Sequence, residues 1–337
     1  MKKYCGFLVL VCLVLATSPA PAATRSGVVT MEVDLSTHQT GKEVKLWIPY
    51  PVSDSDQLIS NVKVSGDYSE SAVYTDPQHG NPILFAAWDK DAGSRRLTLS
   101  FAAERKEVIR RDFPATEPSW DRTSFQPYLG ATSLGPIDGE VKNLADKITG
   151  DKKTVLAKVR AIYDWTYTNM YRDPDTPGCG IGDVYALLHK LGGKCTDISS
   201  VFIALARASG VPAREVFGIR LGKKAEEDIT GYQHCWAEFY EPGYGWVPVD
   251  PADVRKAMLV ENLKLEDRKT AEYIAYYWGA VDPYRIKLAV GRDITLNPPQ
   301  AGEPLNNFGY PFAQVGDSTI DRLAPATFKY KITYKEK

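Results

Sequence analysis

Between Val28 and about Val108, apolar side chains alternate with polar ones. Val29, Met31, Val33 and Leu35 form one such run, Val44, Leu46 and Ile48 a second, and Leu97, Leu99 and Phe101 a later one. A period of two belongs to strands with one buried face. Gly41, Pro49-Tyr-Pro51, Gly66-Asp67, Gly80-Asn-Pro82 and Asp91-Ala-Gly93 break the runs at the intervals of a β-sandwich. The pattern predicts an N-terminal β-sandwich domain over residues 24–112. Residues 113–136, rich in Pro, Ser, Thr and Gly and without a sustained period, read as a linker.

Beyond the linker the period becomes helical. Val141, Leu144, Ala145 and Ile148 share a face, and Val155, Val159, Ile162 and Tyr163 share another on a longer helix ending near Tyr171. Asp183 is placed to cap a short helix over 184–191 that stops at Gly192-Gly193. The next helix starts at Cys195, carries Ile198, Phe202, Leu205 and Ala206 on its apolar face, and ends at Gly210. Strands are expected over 214–221, 233–240 and 245–249, then a charged helical stretch around 261–278, then short β runs from Lys287 to Tyr334. Helices packed on a sheet make this an α+β fold, with its core over 137–270 and a β-rich C-terminal extension over 271–337.

The first residues change the compartment. Lys2 and Lys3 precede an uncharged apolar run from Cys5 to Ala16, and Ala20-x-Ala22 fits a signal peptidase site, so residues 1–22 read as a signal peptide. The run is short for a bilayer span, so no stable membrane insertion is expected after cleavage. A lipid anchor on Cys12 would need a small residue before it, where Val11 stands. The expected location is exported, periplasmic or secreted. With 44% hydrophobic and 25% charged residues, the chain can build an ordinary core without metals or disulfides. A formal net charge of −1 with no basic stripe gives nucleic-acid binding no electrostatic support.

Cleavage would leave Cys179, Cys195 and Cys235. An odd count in an oxidising compartment leaves at least one free thiol, which suits a nucleophile. A Cys179–Cys235 bridge remains open, as does a filler role for Cys179 in Pro177-Gly-Cys-Gly-Ile-Gly182. A cysteine attacks as thiolate, so its pKa must be lowered. The first turn of a helix does part of this, and Gly192-Gly193 leave room for an acyl group beside Cys195. His234 can pair with the thiol and later protonate a leaving amine. It shares a strand face with Trp236 and Glu238, while Cys235 points to the other face and is not expected in its pocket. Asp250 ends the following strand, joined through Glu241-Pro-Gly-Tyr-Gly245, and can hold the second imidazole nitrogen. A zinc site from Cys195, His234 and a carboxylate is the competing chemistry, but no Cys-x-x-Cys or His-x-x-x-His spacing supports it.

Four stretches carry a resemblance: Gly192-Gly-Lys-Cys-Thr-Asp-Ile-Ser-Ser200, Leu205-Ala-Arg-Ala-Ser-Gly-Val-Pro-Ala-Arg214, His234-Cys-Trp-Ala-Glu238 and Gly245-Trp-Val-Pro-Val-Asp-Pro251. In order and spacing they resemble the core of the transglutaminase-like superfamily over roughly 140–260. The resemblance implies a papain-like core with Cys195 as nucleophile, His234 as base and acid, and Asp250 as orienter. It further implies a thioester intermediate with the Cys195 N–H in the oxyanion hole, and no cofactor. An upstream side-chain donor is often added, for which Trp165, Tyr167, Asn169 and Tyr171 are the local candidates. Trp236 and Trp246 match positions that wall the site or pack beneath it. Pro212 and Arg214 fit a turn in which arginine pairs with a carboxylate, and His189 is expected to be solvated or capping. The implied substrates are peptides, proteins or cell-wall peptides, with hydrolysis ahead of cross-linking. The alternative is a non-catalytic protein- or cell-wall-binding module on the same scaffold.

Overall fold

The computed structural model describes residues 22–38 and 41–337; the expected signal peptide lies almost wholly outside them. The alternating N-terminal runs form two five-stranded antiparallel sheets. The inward positions Val29, Val33, Val44, Leu46, Ile48, Leu97 and Leu99 meet between them in one core. The tail completes both layers. Lys329–Glu336 pairs with Thr24–Asp34, placing Val29 opposite Tyr334, and Phe312–Val315 pairs with Val44–Pro49. The inner strands of the second sheet, Val44–Pro49 and Pro82–Trp88, are buried on both faces, which explains their almost uninterrupted apolar runs. Trp47, Ile83, Phe85 and Ala87 turn away from the sandwich and join the core of the helical half.

That half packs the helix Cys195–Ala208 against a four-stranded antiparallel sheet, ordered Gly245–Val249, Gln233–Glu241, Ala213–Arg220, Arg285–Val290. Every residue of the Cys195 helix is buried, because the sheet covers one side and the helices Gly139–Thr149, Val155–Asn169 and Val184–Lys190 pack around the rest. Asp183 caps the last of these, accepting from Ala186 N at 3.2 Å. The charged stretch is helical over Arg268–Tyr276. Before it lies a helix that periodicity does not signal, Pro251–Val260, whose N-cap is Asp250 and whose first residue is proline.

The segment 113–136 is strapped down by aromatic residues. Phe125 packs at a tilt on Tyr240 with ring centroids 4.2 Å apart, and Tyr128 meets Trp246 edge-on at 4.9 Å. Arg214 lies 4.0 Å over the Trp246 ring and pairs with Glu238 at 2.7 Å, the carboxylate partner its position predicts. Among the described residues no helix is long and apolar enough to cross a membrane.

Candidate active site

The start of the Cys195 helix is held by Asp197, whose carboxylate accepts from Lys194 N at 2.9 Å and from Gly182 N at 2.8 Å. Thr196 N donates to Cys179 O at 2.9 Å. The glycine-rich loop 177–182 is thereby laid over the first turn, bringing Cys179 to Cys195. Gly180 makes the approach feasible: its φ is +88°, and a Cβ there would stand 1.9 Å from an Asp197 carboxylate oxygen. Gly180→Ala should therefore displace the loop and cost about 1–3 kcal/mol. A urea midpoint unchanged from wild type would contradict this account.

His234 and Asp250 come from adjacent strands. His234 Nε2 lies 2.7 Å from Asp250 Oδ2, and both side chains are buried. The carboxylate fixes Nε2 as the donor and leaves Nδ1 for the thiol of Cys195, which the ring contacts. Asp250 uses its other oxygen, Oδ1, to cap the next helix through Asp253 N at 2.8 Å. One residue thus orients the imidazole and starts a helix, and the helix start in turn fixes its rotamer.

Behind the pair lies a charge network absent from the sequence reading. Arg285, fully buried, reaches Asp250 at 2.5 Å, Asp253 at 2.8 Å and Asp282 at 2.9 Å. Arg220 reaches Asp253 at 2.6 Å. Burial opposes the charged form of Asp253, yet Arg220, His234 and Arg285 hold its carboxyl well below the usual range. His234, Asp250 and Asp253 are close enough to share a cation. The guanidiniums already neutralise those carboxylates, which disfavours one there.

The thiols differ from expectation. Cys179, Cys195 and Cys235 are all free, and their sulfurs lie within 4.8 Å of one another. Cys235 does point away from His234 along its strand, but both stand near the start of the strand Gln233–Glu241. Cys195 nevertheless touches both, so alternation along the strand does not keep Cys235 out of the site. The Cys179–Cys235 bridge left open above is not formed. The neighbouring Cys179 and Cys235 thiols, followed by the His234 ring, hold Cys195 well below the ordinary thiol range. Contact with Cys195 pushes Cys179 up, and burial does the same to Cys235. At about pH 6, where an ordinary thiol is almost wholly protonated, iodoacetamide should label Cys195 far faster than the other two. Equal labelling in peptide mass spectra would refute the assignment of the thiolate. The three sulfurs are also the set best suited to a thiophilic metal ion.

A cavity of about 880 Å³ gives access to Cys195 and His234. None of Trp165, Tyr167, Asn169 or Tyr171 lines it. Asn169 Nδ2 donates to Trp165 O within its own helix at 2.8 Å, and Tyr167 Oη donates to Asp164 at 3.1 Å. The residue before His234 is better placed: Gln233 lines the cavity, and its Nε2 is buried without an acceptor. Trp236 is buried beside the His234 ring, 6.4 Å away, while His189 is exposed and meets Glu140 at 3.2 Å.

A sequence model described as the transglutaminase-like superfamily matches residues 142–251. An uncharacterised protein of Haemophilus influenzae is 38% identical over 319 residues, spanning 87% of this chain and 86% of its own. The protein-glutamine gamma-glutamyltransferase of Pseudomonas aeruginosa is 26% identical over 215 residues, which is 58% of this chain and 32% of that protein. A crystal structure from Cytophaga hutchinsonii, provisionally described as a cysteine protease, superposes with a TM-score of 0.59 at 16% identity, covering 94% of this chain and 93% of that one; it shares the fold. With the helix-borne cysteine, the strand-borne histidine and the matched core in agreement, the chain belongs to the transglutaminase-like superfamily.

Proposed function

We propose that the protein is an exported thiol acyl-transfer enzyme that cleaves amide or peptide bonds through a thioester on Cys195. The observation that carries this reading is a thiol at a helix start, in contact with an imidazole whose far nitrogen is held by a buried carboxylate. The Cys195 sulfur attacks the carbonyl carbon. The oxyanion is met by the Cys195 N–H, for which no acceptor exists among the described residues. His234 Nδ1–H then protonates the leaving amine as the C–N bond breaks, leaving the thioester. Water, deprotonated by His234, adds to the thioester carbonyl and releases the acid and the thiol. An amine in place of water would give a cross-link. The basic and apolar leader followed by Ala20-x-Ala22 supports export, and peptides or cell-wall peptides as substrates.

The test is to incubate the protein and Cys195→Ala with glutamine peptides, amine donors and peptidoglycan fragments, and to read the products by mass spectrometry. Hydrolysed acyl products that require Cys195 are expected. Amine adducts would move the reading to cross-linking, and no Cys195-dependent product from any mixture would overturn it.

A further inference from the structure

The cavity over Cys195 is charged asymmetrically once its ion pairs are accounted for. Its acidic residues are all engaged. Asp253 and Asp282 serve Arg220 and Arg285. Glu227 accepts from Lys223 N at 2.7 Å and Tyr232 Oη at 2.9 Å, and Glu261 is held by Lys269 at 2.6 Å and Tyr273 at 2.6 Å. Five of its cations form no ion pair with a carboxylate among the described residues; Lys223 and Arg322 lie over the Tyr284 and Tyr310 rings, which leaves Arg172, Lys194 and Lys256.

These three come from the segments that frame the triad. Arg172 ends the short strand paired with Gly192–Gly193, immediately before Lys194 and Cys195. Lys256 lies on the helix that Asp250 caps. Arg172 Nη1 is buried with no acceptor among the described residues, an arrangement that costs free energy until an anion arrives. Lys256 is half-buried, and burial first, then Arg220 and Arg172, lowers its pKa; it also feels the charge on Cys195. Like charges gathered in a concave, partly desolvated wall, with no carboxylate in ion-pair contact among the described residues, form a site for an anion.

Building on the proposed thioester chemistry, we propose that Arg172, Lys194 and Lys256 form a specificity subsite for a carboxylate of the substrate, carried close to the scissile amide. A planar guanidinium with flanking ammonium groups can take a carboxylate through parallel N–H···O bonds. The preferred substrates would then be peptides with a free α- or side-chain carboxylate next to the cleaved bond, and their neutral amides would be poor ones.

Alkylation of Cys195 tests this without knowledge of the substrate. Iodoacetate and iodoacetamide attack the same thiolate and differ essentially in charge, so the ratio of their rates cancels the intrinsic reactivity of the sulfur. Measured by site-resolved mass spectrometry, the iodoacetate-to-iodoacetamide ratio at Cys195 should exceed that of glutathione by about 10-fold or more at low salt and shrink as salt is added. Arg172→Gln and Lys256→Gln should each lower the ratio several-fold, and Arg172→Lys and Lys256→Arg should retain most of it. A ratio indifferent to both neutral substitutions would overturn the subsite while leaving the thioester chemistry standing. A Cys195 unreactive to both reagents would sink both proposals. In a second arm, an acetylated dipeptide with a free C-terminal carboxylate should protect Cys195 from iodoacetamide better than its C-terminal amide does. Equal protection by the two, or stronger protection by inorganic phosphate, would refute a carboxylate subsite.

Discussion

His234→Ala should lower turnover by about as much as Cys195→Ala, on the order of 10^4-fold or more, and the double variant should be little worse than either. The two side chains act as one unit: the ring contributes to holding Cys195 as thiolate, and Nδ1–H is the proton the leaving amine needs. Loss of the ring removes both, yet the Cys179 and Cys235 thiols still lower the Cys195 pKa. The effects on reactivity and on turnover should therefore separate. Cys195 has a depressed pKa, so its thiolate persists as pH falls until that value is passed. In His234→Ala the pKa rises, and the iodoacetamide rate profile should move to higher pH while labelling at about pH 9 stays close to wild type. Turnover should not recover at that pH, because the general acid is still missing. Recovery of turnover on raising the pH would limit His234 to an electrostatic role.

The residues readable from the sequence are those whose roles are local. Gly192-Gly193 before Cys195, His234 early in a strand and Asp250 at the end of the next each carry a local signature, and the structure brings them together. Arg285 carries none. It stands just before the short β runs expected from Lys287, and its importance comes from a strand pairing, Arg220 with Arg285, that no periodicity encodes. The same holds for the tail strand opposite Thr24–Asp34: its alternation is visible, its partner is not. Cys235 shows the opposite failure. Alternation correctly places it away from His234, but the inference that it lies outside the site neglects Cys195, which contacts both residues. The Pro251–Val260 helix was concealed because Asp250 reads equally well as a strand end or as an N-cap, and it serves as both.

Removing Arg285 should produce the largest loss of stability of any single substitution near the site. Arg285→Met keeps much of the side-chain volume but leaves Asp250, Asp253 and Asp282 facing one another with Arg220, His234 and the more distant Lys256 to offset them. Deleting one partner of a buried ionic network costs about 3–5 kcal/mol, because the remaining charges stay desolvated. Arg285→Lys should recover only part of this, since one ammonium cannot replace a fork that reaches three carboxylates. The pH dependence identifies the cause. In the wild type, Asp253 and Asp282 have depressed pKa values in the fold. Their contribution is present above the unfolded carboxylate range of about 4 and is lost as pH falls through the folded values. In Arg285→Met, mutual repulsion raises those pKa values, so protonation relieves the variant at pH values where the wild type is still gaining from its ion pairs. The stability gap measured by urea unfolding should be widest near neutrality and narrow steadily below about pH 5. A gap that stays constant across that range would mean the loss is one of packing, and Arg285 would then be a filler of the core rather than the charge that holds Asp250 in place for His234.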